Sequence, residues 1–218
     1  MDRKSRTVLC LGPPHSGKSV FSYILFKNLR KLGNDACLMD CDYYSPTLRR
    51  RADEIADQDD NIHIYTTPYA RKMDINEDTY SRLCQTIFDT IVEEGVIVLD
   101  GIGRHTSSTK VLLTLTDKLI VLSASSFNVE IDGEKCYYVK EEKAVHPFDF
   151  YAAASDKCIK ITTYCRKEER SSFEPKTMQG ELFDLDWNLI HRGNIEKIPE
   201  RTRKMIARIS QFILEEWI

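Results

Sequence analysis

The sequence predicts an α/β protein, a three-layer α/β/α sandwich around a mostly parallel central sheet. Three observations carry that expectation. Short, almost wholly apolar runs recur as TVLCL (Thr7 to Leu11), VIVL (Val96 to Leu99) and KLIVLS (Lys118 to Ser123), which suits strands buried on both faces. Stretches of helical period lie between such runs. Turn-forming residues stand at the junctions, among them Gly12-Pro13-Pro14, Gly33 and Gly95. With 218 residues, 42% hydrophobic and 30% charged, the chain suits one sizeable domain and is too apolar for disorder.

Taken in order, Thr7 to Leu11 reads as a first strand stopped by Gly12. From Lys18, the residues Phe21, Ile24, Leu25, Leu29 and Leu32 share one helical stripe, and Gly33 follows as a stop. Ala36 to Asp40 (ACLMD) is the second strand. Pro46 and the run Arg49, Arg50, Arg51 lead into a short helix, then an acidic loop from Asp57 to Asn61 and a short strand from Ile62 to Tyr65. Glu77 to Glu94 places Tyr80, Leu83, Cys84, Ile87, Phe88 and Ile91 at helical spacing, closed by Gly95 before VIVL. A short helix near Ser108 to Leu115 precedes KLIVLS. The polar, aromatic segment 127–146 reads as a hairpin insertion, Pro147 to Ala154 as a helix and Cys158 to Tyr164 as a strand. Leu182 to Ile190 resembles a hairpin or two short strands. A C-terminal helix over 199–217 aligns Met205, Ile206, Ile209, Phe212, Ile213 and Trp217 on one face. The expected organisation is a single domain over 1–218.

Charge and cysteine usage narrow the function classes. Lys plus Arg number 31 against 34 for Asp plus Glu, a formal charge of -3, which argues against a dedicated nucleic-acid binder. No run reaches the roughly 18 apolar residues of a membrane helix, and MDRKSRTVLCLG lacks the apolar core of a secretory signal. The seven cysteines are scattered and form no C-x-x-C pair. They read as small buried hydrophobes in a reducing, cytoplasmic setting, not as a disulfide framework or zinc site.

The chemistry is concentrated in Gly12-Pro13-Pro14-His15-Ser16-Gly17-Lys18-Ser19, which fits G-x-x-x-x-G-K-[ST] between a predicted strand and a predicted helix. Glycines let successive backbone N–H groups face a phosphate, and the start of the helix, with Val20 in its first turn, adds the positive end of its dipole. Lys18 is expected to bridge the outer phosphates of ATP and Ser19 to ligate Mg2+. On that expectation Lys18→Ala abolishes hydrolysis and leaves the fold intact. Pro13 and Pro14 stiffen the loop; His15 reads either as an exposed filler or as a nucleotide or partner contact.

A second acidic point is needed at the end of a neighbouring strand to hold the metal's water shell. Asp100, directly after VIVL, stands there. Asp100-Gly101-Ile102-Gly103 also spells D-x-x-G, in which Gly103 would offer its N–H to the γ-phosphate, with Arg104 next to it. After the second strand, Asp40 and Asp42 are candidates to orient or deprotonate a water; an Asx turn before Pro46 is the structural alternative. The guanine-recognition tetrapeptide N-K-x-D is absent, which leaves ATP by elimination.

On these residues the chain resembles P-loop NTPases of the class that includes dethiobiotin synthetase and the septum-site and chromosome-partition ATPases. The resemblance covers roughly residues 7 to 125 through GPPHSGKS, the Asp-rich end of the second strand and VIVLDGIG. It implies a magnesium-dependent ATPase. Many partition ATPases carry an extra lysine early in the loop that reaches across a dimer; Pro13 and Pro14 occupy that region here. More narrowly, GPPHSGKSVF, Asp100 to Arg104, LIVLS and LIHRG (Leu189 to Gly193) are similar to ATPase domains associated with a CRISPR ring nuclease. That likeness implies a link to a cyclic oligoadenylate pathway, without a nuclease domain of its own.

Three functions remain open at this level. The first is a Mg2+-dependent ATPase whose cycle switches association with a protein partner or a second copy. The second is a kinase acting on a small molecule or a nucleic-acid end, with a lid from Thr66 to Asp74 or from the hairpin. The third is a nucleotide-dependent binding module that docks a partner on Phe212 and Trp217.

Overall fold

A computed structural model describes residues 5–14, 16–42, 47–50, 64–65, 95–103, 107–124, 126–131, 134–139, 158–163, 171–182 and 198–215. The strands are β1 (Ser5–Leu11), β2 (Ala36–Asp40), β3 (Ile64–Tyr65), β4 (Gly95–Asp100), β5 (Lys118–Ala124), β6 (Ser126–Ile131), β7 (Glu134–Val139), β8 (Cys158–Thr163), β9 (Ser172–Glu174) and β10 (Gln179–Leu182). The helices are α1 (Lys18–Lys31), α2 (Thr47–Arg50), α3 (Ser107–Thr114) and α4 (Glu200–Glu215).

Eight strands form one sheet in the order β3-β2-β4-β1-β5-β8-β10-β9, and every pairing is parallel except that of β9 on β10. β1 lies between β4 and β5, so its residues Val8 to Leu11 are fully buried. Alternation along the strands divides the core in two. Val8, Cys10, Val96, Val98, Ile120 and Leu122 face α1 and α4; Leu9, Leu11, Ile97, Leu99, Leu119 and Val121 face Val111 and Leu112 of α3. Both faces are covered, as the unbroken apolar runs required.

α1 is buried along most of its length because the sheet lies beneath it and α4 packs against it. Its end follows from Gly33, whose φ of +84 permits the left-handed turn in which Gly33 N–H bonds Arg30 and Asn34 N–H bonds Leu29. Met205, Ile206, Ile209 and Ile213 form the buried face of α4. Phe212 meets Phe173 of β9 edge-to-face, with ring centroids 5.6 Å apart, so it is engaged within the fold.

Strand β3, Ile64–Tyr65, pairs with Leu38 and Met39 of β2; Ile62 and His63, where the sequence reading began this strand, lie outside the described residues. β6 and β7 pair antiparallel as a separate two-stranded sheet. A hairpin of β9 and β10 joins the sheet edge, and its second strand ends at Leu182, where the sequence reading placed the beginning of one. The helices expected over 77–94 and 147–154, the acidic loop 57–61, residues 183–190, and Trp217 lie outside the described residues. No described helix is long and apolar enough to cross a membrane.

Cys10, Cys37, Cys41 and Cys158 are buried and form no disulfide. Burial pushes the Cys10 and Cys37 thiols up to about 12 and that of Cys158 to about 11. At pH 8, iodoacetamide should leave these four unlabelled in the native chain and label all four after denaturation, read by peptide mass mapping. Native labelling of Cys10 would contradict the placement of β1 at the centre of the sheet.

Candidate phosphate-binding site

The glycine-rich loop emerges from the carboxyl end of β1 and runs straight into α1. From β1 the chain crosses to β2 on one side, whereas from β5 it proceeds to β8 on the other. The loop therefore occupies the switch point of the sheet, where ligands of open α/β folds bind. Gly17 precedes the helix with φ of +79, a conformation that favours glycine. The first α1 bond runs from Phe21 N–H to Gly17 C=O. The amides of Lys18, Ser19 and Val20 lie ahead of it in the first turn, where helix donors have no intrahelical acceptor.

Neighbouring strands close around this loop. A Cβ on Gly12 would stand 2.6 Å from Leu122 O of β5 and 2.6 Å from Ser16 Oγ. Ser16 C=O accepts a hydrogen bond from Thr163 Oγ1 of β8 at 2.8 Å. Lys18 Nζ contacts Asp100 Oδ1 at 2.9 Å, and both side chains are buried. Ser22 Oγ bonds Lys18 C=O at 3.0 Å and reaches Asp100 Oδ1 at 3.5 Å. Burial works against the Lys18 charge, but the Asp100 carboxylate and its hydrogen bond, with Asp42 and Asp40 adding attraction, raise the Lys18 pKa. The ammonium is thus held charged beneath the loop.

Asp40 and Asp42 take different places. Asp40, almost fully buried, accepts the Asp42 N–H on Oδ1 at 3.1 Å, the turn contact that was the structural alternative for this pair. Asp42 is half-buried, and its Oδ2 accepts the Gly103 N–H at 3.3 Å. The ends of β2 and β4 are thereby joined. A Cβ on Gly103 would meet Pro14 at 3.5 Å, so the D-x-x-G stretch lies against the loop.

The residues present fit a phosphate and a hard divalent ion. Asp100 Oδ2 and Ser16 Oγ are buried without a hydrogen-bond partner, a costly state for oxygen atoms. The Ser19 hydroxyl and Asp100 Oδ2 are oxygen donors of the kind Mg2+ takes. Among the described residues no cluster of three metal-ligating side chains is present. His15 and Arg104 lie outside the described residues. Thr163 and Ser22 were not anticipated from the sequence, because 147 and 78 positions separate them from their partners Ser16 and Asp100.

The Lys18–Asp100 pair corrects the expectation that Lys18→Ala leaves the fold intact. That substitution strands a buried carboxylate.

The whole arrangement can be set beside solved structures. A chain described as a plasmid partition protein of Borrelia burgdorferi, bound to AMPPNP, superposes with a TM-score of 0.62 at 16% identity, covering 98% of this chain and 100% of that one. The fold is that of the P-loop NTPases. The septum site-determining protein of Pyrococcus horikoshii, complexed with Mg-ADP, gives 0.54 at 13% identity, covering 96% of each chain. The signal recognition particle 54 kDa protein of Aeropyrum pernix, in complex with GDP, gives 0.51 at 16% identity over 99% of this chain and 50% of that one. No family model matches the sequence, and no curated protein does.

Gly12 of the loop and Gly103 beside it give a paired test. Gly12→Ala forces a methyl against the Leu122 carbonyl, a backbone atom with little room to move, and should cost about 1–3 kcal/mol. Gly103→Ala meets Pro14 only at ordinary contact distance, so its urea midpoint should match that of the wild type. Urea unfolding of both variants decides the matter. Equal midpoints for Gly12→Ala and wild type would refute the close packing of loop and β5.

Proposed function

We propose that this chain binds ATP with Mg2+ and hydrolyses it, using the cycle to change its association with a protein partner or a second copy. The observation that carries the reading is the charged Lys18 ammonium, buried at the mouth of α1 and paired with Asp100 at the end of the adjacent strand. In this reading the loop amides and Lys18 bind the β- and γ-phosphates, neutralising charge that develops during transfer. Ser19 and Asp100 hold Mg2+, which when bound neutralises phosphate charge. Asp42 accepts the proton of the attacking water, and its carboxylate leaves Gly103 N–H free for the γ-phosphate as it turns to that task. The AMPPNP of the partition-protein structure and the Mg-ADP of the septum-site structure support this choice of ligand. The stretches read as similar to CRISPR-associated ATPases, GPPHSGKSVF and Asp100 to Arg104 among them, extend the proposal to a partner in a cyclic oligoadenylate pathway.

Incubation of the pure protein with labelled ATP and Mg2+, with and without candidate acceptors, tests it. Free phosphate without acceptor supports the proposal. A labelled acceptor would replace it with a kinase, and binding without turnover would replace it with a nucleotide-dependent module.

A further inference from the structure

The buried Thr163 stands at the carboxyl end of β8, in register with Ala124 of β5 and Leu182 of β10. Its hydroxyl donates to the carbonyl of Ser16 at 2.8 Å, from 147 positions away in sequence. That carbonyl shares one planar, trans peptide unit with the N–H of Gly17, and the two groups point in opposite directions. Tying the carbonyl to β8 therefore turns the Gly17 N–H away from β8. The φ of +79 at Gly17 allows that orientation to pass into α1 without strain. In the mirror orientation, with the peptide flipped, the loop would present an oxygen where it otherwise presents a donor, and an anion would be repelled.

We propose that Thr163 is a positioning residue that locks the Ser16–Gly17 peptide in the orientation that receives phosphate. The inference rests on the ATP-binding reading and deepens it: Thr163 acts through the loop backbone, by its bond to the Ser16 carbonyl. Its removal should therefore weaken every ligand that fills the loop, whatever base it carries, and should leave the chemical step alone.

The test is calorimetric titration with MgATP and with magnesium tripolyphosphate, for wild type, T163V and T163S, alongside steady-state hydrolysis. T163V keeps the volume and removes the donor; T163S keeps the donor. The expected result is a roughly tenfold loss of affinity for both ligands in T163V, the scale of one lost hydrogen bond plus a stranded carbonyl. KM should rise by a similar factor with kcat changed less than about twofold, and T163S should restore both. Should T163V fail to fold, T163C, similar in size and a weak donor, carries the same comparison. Unchanged affinity in the folded variant overturns the proposal and leaves the ATP reading standing. So does a loss confined to ATP with tripolyphosphate unaffected, or a T163S no better than T163V. Absence of binding by the wild type to either ligand overturns the ATP reading itself, and this inference with it.

Discussion

Lys18→Ala is expected to lose both hydrolysis and much of the stability of the chain. Turnover should fall about 100-fold or more, the scale on which a preorganised charge at the reacting oxygens contributes. Stability should fall by about 3–5 kcal/mol, because Asp100 remains buried without the ammonium that pairs with it. That is a large share of the stability of an ordinary domain, so lost activity in this variant alone would be ambiguous. Lys18→Met combined with Asp100→Leu removes both charges and should recover most of the stability while remaining inactive. Urea unfolding of the single and double variants measures the coupling. Additive losses would mean that the two side chains do not form the buried pair described here. The pH dependence has a definite sign. Burial opposes the Lys18 charge, but Asp100 more than compensates, so the native state holds that proton more tightly than the unfolded chain. The stabilisation is complete below the ordinary lysine value and is lost only as pH rises through the raised native value. Acidification from pH 8 to pH 6 should leave this contribution untouched.

Asp42→Asn should separate chemistry from binding. The carboxylate is half-buried and touches Gly103 N–H, with Lys18 close enough to feel its charge. An amide of the same shape can still accept that N–H through its oxygen but cannot take a proton from water. We expect kcat to drop about 100- to 10,000-fold, the usual contribution of general base catalysis, with affinity for MgATP little changed. Asp40→Asn should behave differently, since Asp40 is buried in a turn contact with the Asp42 amide. It should lower stability and reduce kcat much less. Single-turnover hydrolysis with calorimetric binding distinguishes the two. Equal kcat losses in both variants, or a larger one for Asp40→Asn, would reassign the base.

Much of the fold was legible because its signals are local. TVLCL, ACLMD, VIVL and KLIVLS are apolar runs of strand length, and the spacing from Phe21 to Leu29 and from Met205 to Ile213 can only be helical. The tight turn from β1 into α1 was legible for the same reason, since eight consecutive residues from Gly12 to Ser19 specify it. Strand order was not, because β1 pairs with strands that begin some 90 and 113 positions later and no local pattern records a partner; only the nearness of VIVL to the loop was anticipated, through the acidic residue that the site requires. The Lys18–Asp100 contact, 82 positions apart, belongs to that class, as does Thr163 on Ser16. The edge hairpin escaped for another reason. β9 has only three residues, and its single buried side chain, Phe173, is too little to establish a period. Asp40 and Asp42 could not be told apart in sequence, because two carboxylates one residue apart look alike; in the fold Asp40 caps its own turn, whereas Asp42 reaches across to the Gly103 N–H.

Calorimetric titration of the wild-type chain with MgATP, against Lys18→Met/Asp100→Leu as a folded control, tests the central claim most directly. Saturable heat at one nucleotide per chain for the wild type, and none for the control, is the predicted result. A wild-type chain that takes up no nucleoside triphosphate, or a control that binds as well as the wild type, would contradict it.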